Sequence, residues 1–342
     1  MPGSEGGHDD AGSAVAGHAT DRGGRGLAGE DRGGHSGPQG GAEGSGGKTR
    51  GVPDELVAAA ERSIAHPLQS PLYHAENAQR YERQTLIETY ERAYTCRLVV
   101  LCDALFPYSV TLFEELIYDA DPCMDLHVML ATPGGDGETA VRLIRSAQRR
   151  CRELTVIVPD QAKSAGTIVT LGAHHILLGP TSDLGPIDPQ FQIRQGLVSA
   201  KDIIAAVATA EAAIQASPAT YPLHAALLSD VTALMVQQAR SALARSEDVM
   251  REALASQPSR SAEEVEALCA ALKQPLIDDP KSHGASLGVD DALQLGLPVI
   301  AADPAGDQWQ LIWRLWVKYW SLGQRAYEGA RASKTMPFPQ ES

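Results

Sequence analysis

Between Arg97 and Gly179 the chain alternates short, continuous apolar runs with helical patterns: RLVVLCDA, TLFEELIYDA, LHVMLATP, ETAVRLIRSAQRRC, LTVIVP, SAGTIVTLGA and HHILLG. A strand that is apolar throughout needs cover on both faces. Strand and helix units at this spacing pair mostly in parallel, so the pattern predicts an α/β fold. The turns that leave each strand then gather at the carboxyl edge of the sheet, where ligand sites of open α/β sheets lie.

The flanks read differently. Residues 1–51 hold more than half of the chain's 32 glycines. They bury too little apolar surface to offset ordering entropy and read as a disordered tail. Residues 52–94 give two N-terminal helices, DELVAAAERSIA and ENAQRYERQTLIETYERAY. The α/β core spans 95–200, and a helical insertion punctuated by Pro218, Pro222 and Pro258 spans 201–273. Residues 274–342 form a closing segment, with a short helix and strand in VDDALQLGLPVI and a final Trp-rich helix. There, Trp309, Trp313, Trp316 and Trp320 are spaced four, three and four apart, which places them on one helical face. That face suits core packing or an oligomer interface. Its two cations, Arg314 and Lys318, make a membrane-surface role less favoured.

Bulk properties exclude several classes. A net charge of -14 and a pI near 5.1 leave no basic stripe for nucleic acid. The five cysteines show no C-x-x-C pair and no metal-ligand spacing, which fits reduced thiols in a cytoplasmic protein. The irregular spacing of His8, His18 and His35 gives no metal site. Residues 1–51 lack the apolar core of a signal peptide, and no run reaches the roughly 18–20 apolar residues of a membrane span.

Three motifs carry chemistry. In ATPGGDGE (131–138), adjacent glycines let backbone N–H groups approach a substrate oxygen, and the following helix start adds a positive dipole end. This suits an oxyanion hole, a phosphate cradle or simply a tight turn; it is neither a Walker A nor a dinucleotide fingerprint. In AKSAGT (162–167), Ser164 sits where a strand gives way to an apolar helix. It reads either as a helix cap or as a nucleophile, with the Ala165 and Gly135 N–H groups forming an oxyanion pair. In LGPIDPQF (184–191), two prolines hold Asp188 in a defined place, where a carboxylate orients a base, accepts a proton or closes a turn.

Taken in order and spacing, TPGGDGETA, VPDQAKSAGTIVTLGA and LGPIDPQ resemble the serine dehydrogenase proteinase family, relatives of ClpP and signal peptide peptidase A within the ClpP/crotonase superfamily. SHGASLGVDDALQLGLPV (282–299) is similar to that family's His-containing turn and closing helix. The resemblance covers about residues 95–300 and implies a ClpP/crotonase-like spiral of repeated ββα units with an inserted helical region. It implies a serine peptidase acting on a peptide or protein substrate, with Ser164 as nucleophile, Gly134, Gly135 and Ala165 around the oxyanion, a homo-oligomeric assembly, and no metal or cofactor. The base stays open between Asp188, His283 and a lysine (Lys163, Lys201 or Lys281). ClpP-like chains carry a histidine at about the place of Asp188, and a Ser-Lys dyad needs a lysine of lowered pKa. His174 and His175 stand where the family tends to carry acidic residues and read as peripheral. A non-catalytic oligomeric scaffold and a crotonase-type acyl-CoA enzyme are the rival readings on the same fold.

Overall fold

The computed structural model describes residues 70–193, 196–278 and 286–337. The expected tail, the helix over 54–65, His283 and Lys281 therefore lie outside the described residues. In chain order the elements are α1 (Pro71–Glu76), α2 (Ala78–Tyr94), β1 (Cys96–Cys102), α3 (Pro107–Ile117), β2 (Asp125–Ala131), α4 (Gly137–Gln148), β3 (Leu154–Val158), β4 (Gln161–Ala162) and α5 (Ala165–Leu171). They continue with β5 (His175–Leu178), β6 (Asp183–Leu184), β7 (Gln190–Ile193), β8 (Gly196–Ser199), α6 (Ala200–Ala216), α7 (Tyr221–Leu227), α8 (Ala233–Ala255) and α9 (Ala262–Lys273). The last are α10 (Val289–Gln294), β9 (Val299–Ala301), α11 (Asp307–Leu322), β10 (Arg325–Gly329) and β11 (Ser333–Met336).

The main sheet runs β11-β10-β1-β2-β3-β5-β9 and is parallel from β1 to β9. Its strands are apolar throughout because both faces are covered. Val99, Leu101, Val128, Leu130, Val156 and Val158 face one core with α3, α4, α5 and the C-terminal half of α8. Their alternating neighbours Leu98, Val100, Met129 and Ile157 face a second core under α2 and α11. Matched registers end β1 and β2 together at Cys102 and Ala131, so the loops that follow share one edge.

Short strands turn away from that edge into a second layer. β4 pairs with β6 in parallel, and single bridges join Thr132 to Ala162, Leu105 to Gly135 and Leu184 to Leu287. β3-β4-α5 is thus a ββα unit, as expected of a ClpP/crotonase-like spiral.

One expectation needs correction. The four tryptophans do not share one environment: Trp309 is 5% exposed, whereas Trp313 is 39% and Trp320 71% exposed. The buried stripe of α11 is Trp309, Ile312, Leu315 and Tyr319, because that row faces the sheet. The helices of 201–273 differ in what they bury. Val249, Met250, Ala253, Leu254, Val265, Cys269 and Leu272 belong to the main core, while α6 buries only Ala200, Ile203 and Ala210. The β10–β11 hairpin, absent from the sequence reading, adds two antiparallel strands beside β1. It is locked by Glu328, which accepts from Arg83 Nε (2.6 Å) and Tyr319 OH (2.7 Å) in the second core. A buried carboxylate is tolerated because both partners are fixed around it.

Candidate active site

The loop after β2 is held in an unusual path. Leu105 N–H donates to Gly134 O (2.8 Å) and Asp136 N–H donates to Leu105 O (2.7 Å), so the loop runs beside Leu105 like a strand. Gly134 and Gly135 adopt φ of +117° and +142°. A Cβ at Gly135 would lie 2.1 Å from Leu105 O, and one at Gly134 would lie 2.9 Å from Ser164 Cβ. Only glycine allows both the conformation and the approach. Asp136 then caps α4, accepting from Thr139 N–H (3.0 Å) and Thr139 Oγ1 (2.6 Å).

Ser164 follows β4 and opens α5. Its backbone stands at φ 48°, ψ -110°, a region that side chains rarely adopt. Its hydroxyl makes no capping bond to α5, so the helix-cap alternative does not describe it. The loops meet through threonines. Gly134 N–H donates to Thr132 Oγ1 (3.1 Å), while Thr132 N–H donates to Gln161 O (2.9 Å) and Lys163 N–H to Thr132 O (3.1 Å). With Gly134 N–H engaged, the N–H groups of Gly135 and Ala165 remain without an acceptor among the described residues. Such groups at a helix start favour an anion. Ala165 itself is fully buried.

The next loop is stitched to the same place. Thr167 Oγ1 lies 2.7 Å from Gly185 O and 2.9 Å from Ala162 O, and accepts from Gly185 N–H (3.1 Å). Lys163 Nζ is paired with the Asp183 carboxylate. Sequence reasoning passed over Thr132, Thr167 and the Lys163–Asp183 pair. An isolated threonine carries no motif, and the pairing needs the β4–β6 contact.

Asp188 is 2% exposed and accepts from Ser199 Oγ (2.8 Å) and Gln190 Nε2 (3.1 Å). Both partners belong to the β7–β8 hairpin that the loop enters. The described residues flanking His283 dock on the same loop. Ile187 N–H donates to Leu276 O (2.8 Å), Leu184 and Leu287 exchange backbone bonds of 3.1 and 2.9 Å, and Leu287 N–H also reaches Asp183 Oδ1 (3.2 Å). Lys201 begins α6 beyond its Ser199 cap. His174 Nδ1 accepts from Leu154 N–H (3.0 Å) and His175 faces Glu153, both at the amino ends of β3 and β5, away from Ser164. Among the described residues no group of three or more His, Cys, Asp or Glu is arranged to hold a metal, and no helix is long and apolar enough to cross a membrane.

Solved structures similar to this chain include a membrane-bound stomatin-specific protease, 1510-N, in a serine-to-alanine variant: 16% identity, TM-score 0.39, covering 60% of this chain and 78% of that one. A lysine-to-alanine variant of the same protease, in complex with a substrate peptide, matches at 16% identity and TM-score 0.39 over 70% and 86% of the two chains. Among curated proteins, the uncharacterized protein MJ0137 of Methanocaldococcus jannaschii is 34% identical over 82 residues, 24% of this chain and 27% of that protein. MJ1495 of the same organism is 30% identical over 67 residues, 20% of this chain and 23% of that protein. The chain thus spans about a quarter of the length of the curated relatives it matches. The family of ClpP-like SDH-type serine proteinases matches residues 116–312, more than half of the chain and the whole stretch from the end of α3 to the middle of α11. The chain belongs to the ClpP-like SDH-type serine proteinase family.

Proposed function

We propose that this protein hydrolyses peptide bonds through Ser164. The observation that carries the reading is the backbone of Ser164: a non-glycine residue at φ 48° on a helix start, pressed against a glycine pair, with two N–H groups nearby that have no acceptor among the described residues. Strain of this kind, of order 1–3 kcal/mol, persists where surrounding structure enforces it, and it clusters at active sites.

In this reading Ser164 Oγ attacks the scissile carbonyl carbon and its proton passes to His283. The oxyanion accepts from the Gly135 and Ala165 N–H groups, with Gly134 shaping the loop. Collapse breaks the C–N bond as the leaving amine takes the proton from His283. Water then attacks the acyl ester and gives a proton to His283, which passes it to Ser164 Oγ as the ester C–O bond breaks. Asp188 orients the imidazole and stabilises its cation. His283 is favoured over Lys163 for two reasons. It lies four positions before Leu287, a reach of at most about 14 Å, and Leu287 is bonded to the strand that leads to Asp188. Lys163 is already engaged by the Asp183 carboxylate.

The test is fluorophosphonate labelling with intact-mass counting on the full chain. A single adduct in wild type, lost in Ser164→Ala and strongly slowed in His283→Ala, is expected. Labelling that survives Ser164→Ala sinks the assignment. Wild type that assembles but never labels supports the scaffold reading, and saturable coenzyme A binding supports the acyl-CoA reading.

We also propose that the protein self-associates through the arm formed by α6 and α7. Tyr221, Leu223 and Leu227 are each about 60–70% exposed there and Leu234 follows at the start of α8, and clustered exposed apolar side chains mark interaction surfaces. Light scattering of the full chain tests this.

A further inference from the structure

On the second-core side of the sheet edge, a cavity of about 460 Å³ opens at the carboxyl ends of β1, β2 and β3, beneath the last turns of α11. Its size and mainly apolar walls match sites that hold small organic ligands. Three features are not explained by folding. Trp320 and Phe106 stand at its rim 71% and 44% exposed, although burying either in the core would have been favourable. Trp316 completes the aromatic wall. The half-buried Asp160 lines the cavity with a carboxylate that has no hydrogen-bond or ion-pair partner among the described residues. Burial and the nearby Asp183 push its pKa up, as expected of a carboxylate held without a counter-charge.

The remaining charges in the lining are already answered. Asp103 accepts from Tyr108 OH (2.9 Å), Tyr327 OH (3.2 Å) and Ala104 N–H (2.8 Å). Arg325 donates to Tyr108 OH and Pro337 O (both 2.9 Å) and lies 3.8 Å from Asp103. With two carboxylates set against one guanidinium, the lining carries one uncompensated negative charge, located at Asp160.

We propose that this cavity binds an ammonium group carried on an aromatic or branched apolar body, with the cation at Asp160 and the body against Trp316 and Trp320. Carboxylate pairing and cation–π attraction act on the same group there. The cavity adjoins the loops that carry Ser164, since Thr132, Pro133 and Gln161 line it, but it opens on the opposite face of the sheet from α5. Cys102 and Ala131 in its floor belong to the face under α11, whereas α5 packs on the other face.

Calorimetric titration of the full chain with phenethylamine and with its neutral isostere 2-phenylethanol tests this. One saturable site for the amine is expected, with the alcohol binding about tenfold more weakly, the loss of one charged contact. Asp160→Asn should abolish the preference for the amine, and Trp320→Ala, at a position 71% exposed, should weaken both ligands. Ser164→Ala should bind phenethylamine like wild type, so this site can fail or stand independently of the hydrolase reading. Phe-Gly-Gly against its N-acetyl form identifies the source: loss on acetylation assigns a peptide amino terminus, while binding of phenethylamine alone assigns a small amine. Equal binding of amine and alcohol, or no saturable site, overturns the proposal.

Discussion

Ser164 and Asp188 sit on neighbouring loops that leave the same sheet edge, and their surroundings are opposite. Ser164 is strained, its hydroxyl does not cap α5, and the N–H groups beside it have no acceptor among the described residues. Asp188 is buried in ordinary fashion, with donors from Ser199 and Gln190. The first loop is held against its own preference by packing from Leu105 and the glycine pair, and the second is held by donors from the hairpin that follows it. A site poised for an incoming anion is expected to look like the first. A residue that positions another group is expected to look like the second. Stability and reactivity should therefore respond in opposite directions to changes on the two loops.

The largest effect should come from Gly135→Ala. It forces a Cβ to within 2.1 Å of Leu105 O at φ +142° and should cost about 3–5 kcal/mol, read by urea unfolding. A change below about 1 kcal/mol would break the claim that the loop is clamped.

Acid sensitivity sharpens the contrast because it should arise from neither loop. Burial holds the His127 imidazole down at about 4, and its Nδ1 lies 2.8 Å from Tyr90 OH under α2. The unfolded chain takes that proton near pH 6.5. The stability from neutral His127 is therefore full above that pH and is lost as pH falls towards 4, by up to about 2–3 kcal/mol. His127→Asn should flatten that slope in unfolding measured between pH 7 and pH 4.5.

Next in size, Asp188→Ala strands the Ser199 hydroxyl and should destabilise by about 1–3 kcal/mol. Ser164→Gly should do the reverse. Relief of the positive-φ strain, less the extra entropy of a glycine in the unfolded chain, leaves a gain of about 1 kcal/mol together with complete loss of labelling. If both changes destabilise, the two loops are not the opposites described above. Smallest of all, Leu223→Ser on the exposed arm should move stability by less than about 0.5 kcal/mol while weakening self-association.

Much of the fold was legible because its strands announce themselves locally. A run such as LTVIV has no polar face, so it needs cover on both sides wherever it lies. The glycine pair and Ser164 were legible as residues, but their geometry was not. That Gly134 N–H is consumed by Thr132 Oγ1 depends on one hydroxyl's rotamer, and no motif marks it. The β10–β11 hairpin escaped notice because RAYEG places a glutamate inside a strand. That choice makes sense only with Arg83, 245 residues away, to receive it.

By itself, then, the sequence determined the alternation of buried strands and covering helices and the positions of the loops at one sheet edge. Those follow from side-chain period and hydropathy within a few residues. Only the tertiary structure decided which half of 201–273 is core, which tryptophans of α11 meet the sheet, and that Ser164 is bent into a conformation it would not choose. Each of these depends on contacts between segments distant in the chain, and burial or strain at a residue is fixed by what arrives opposite it.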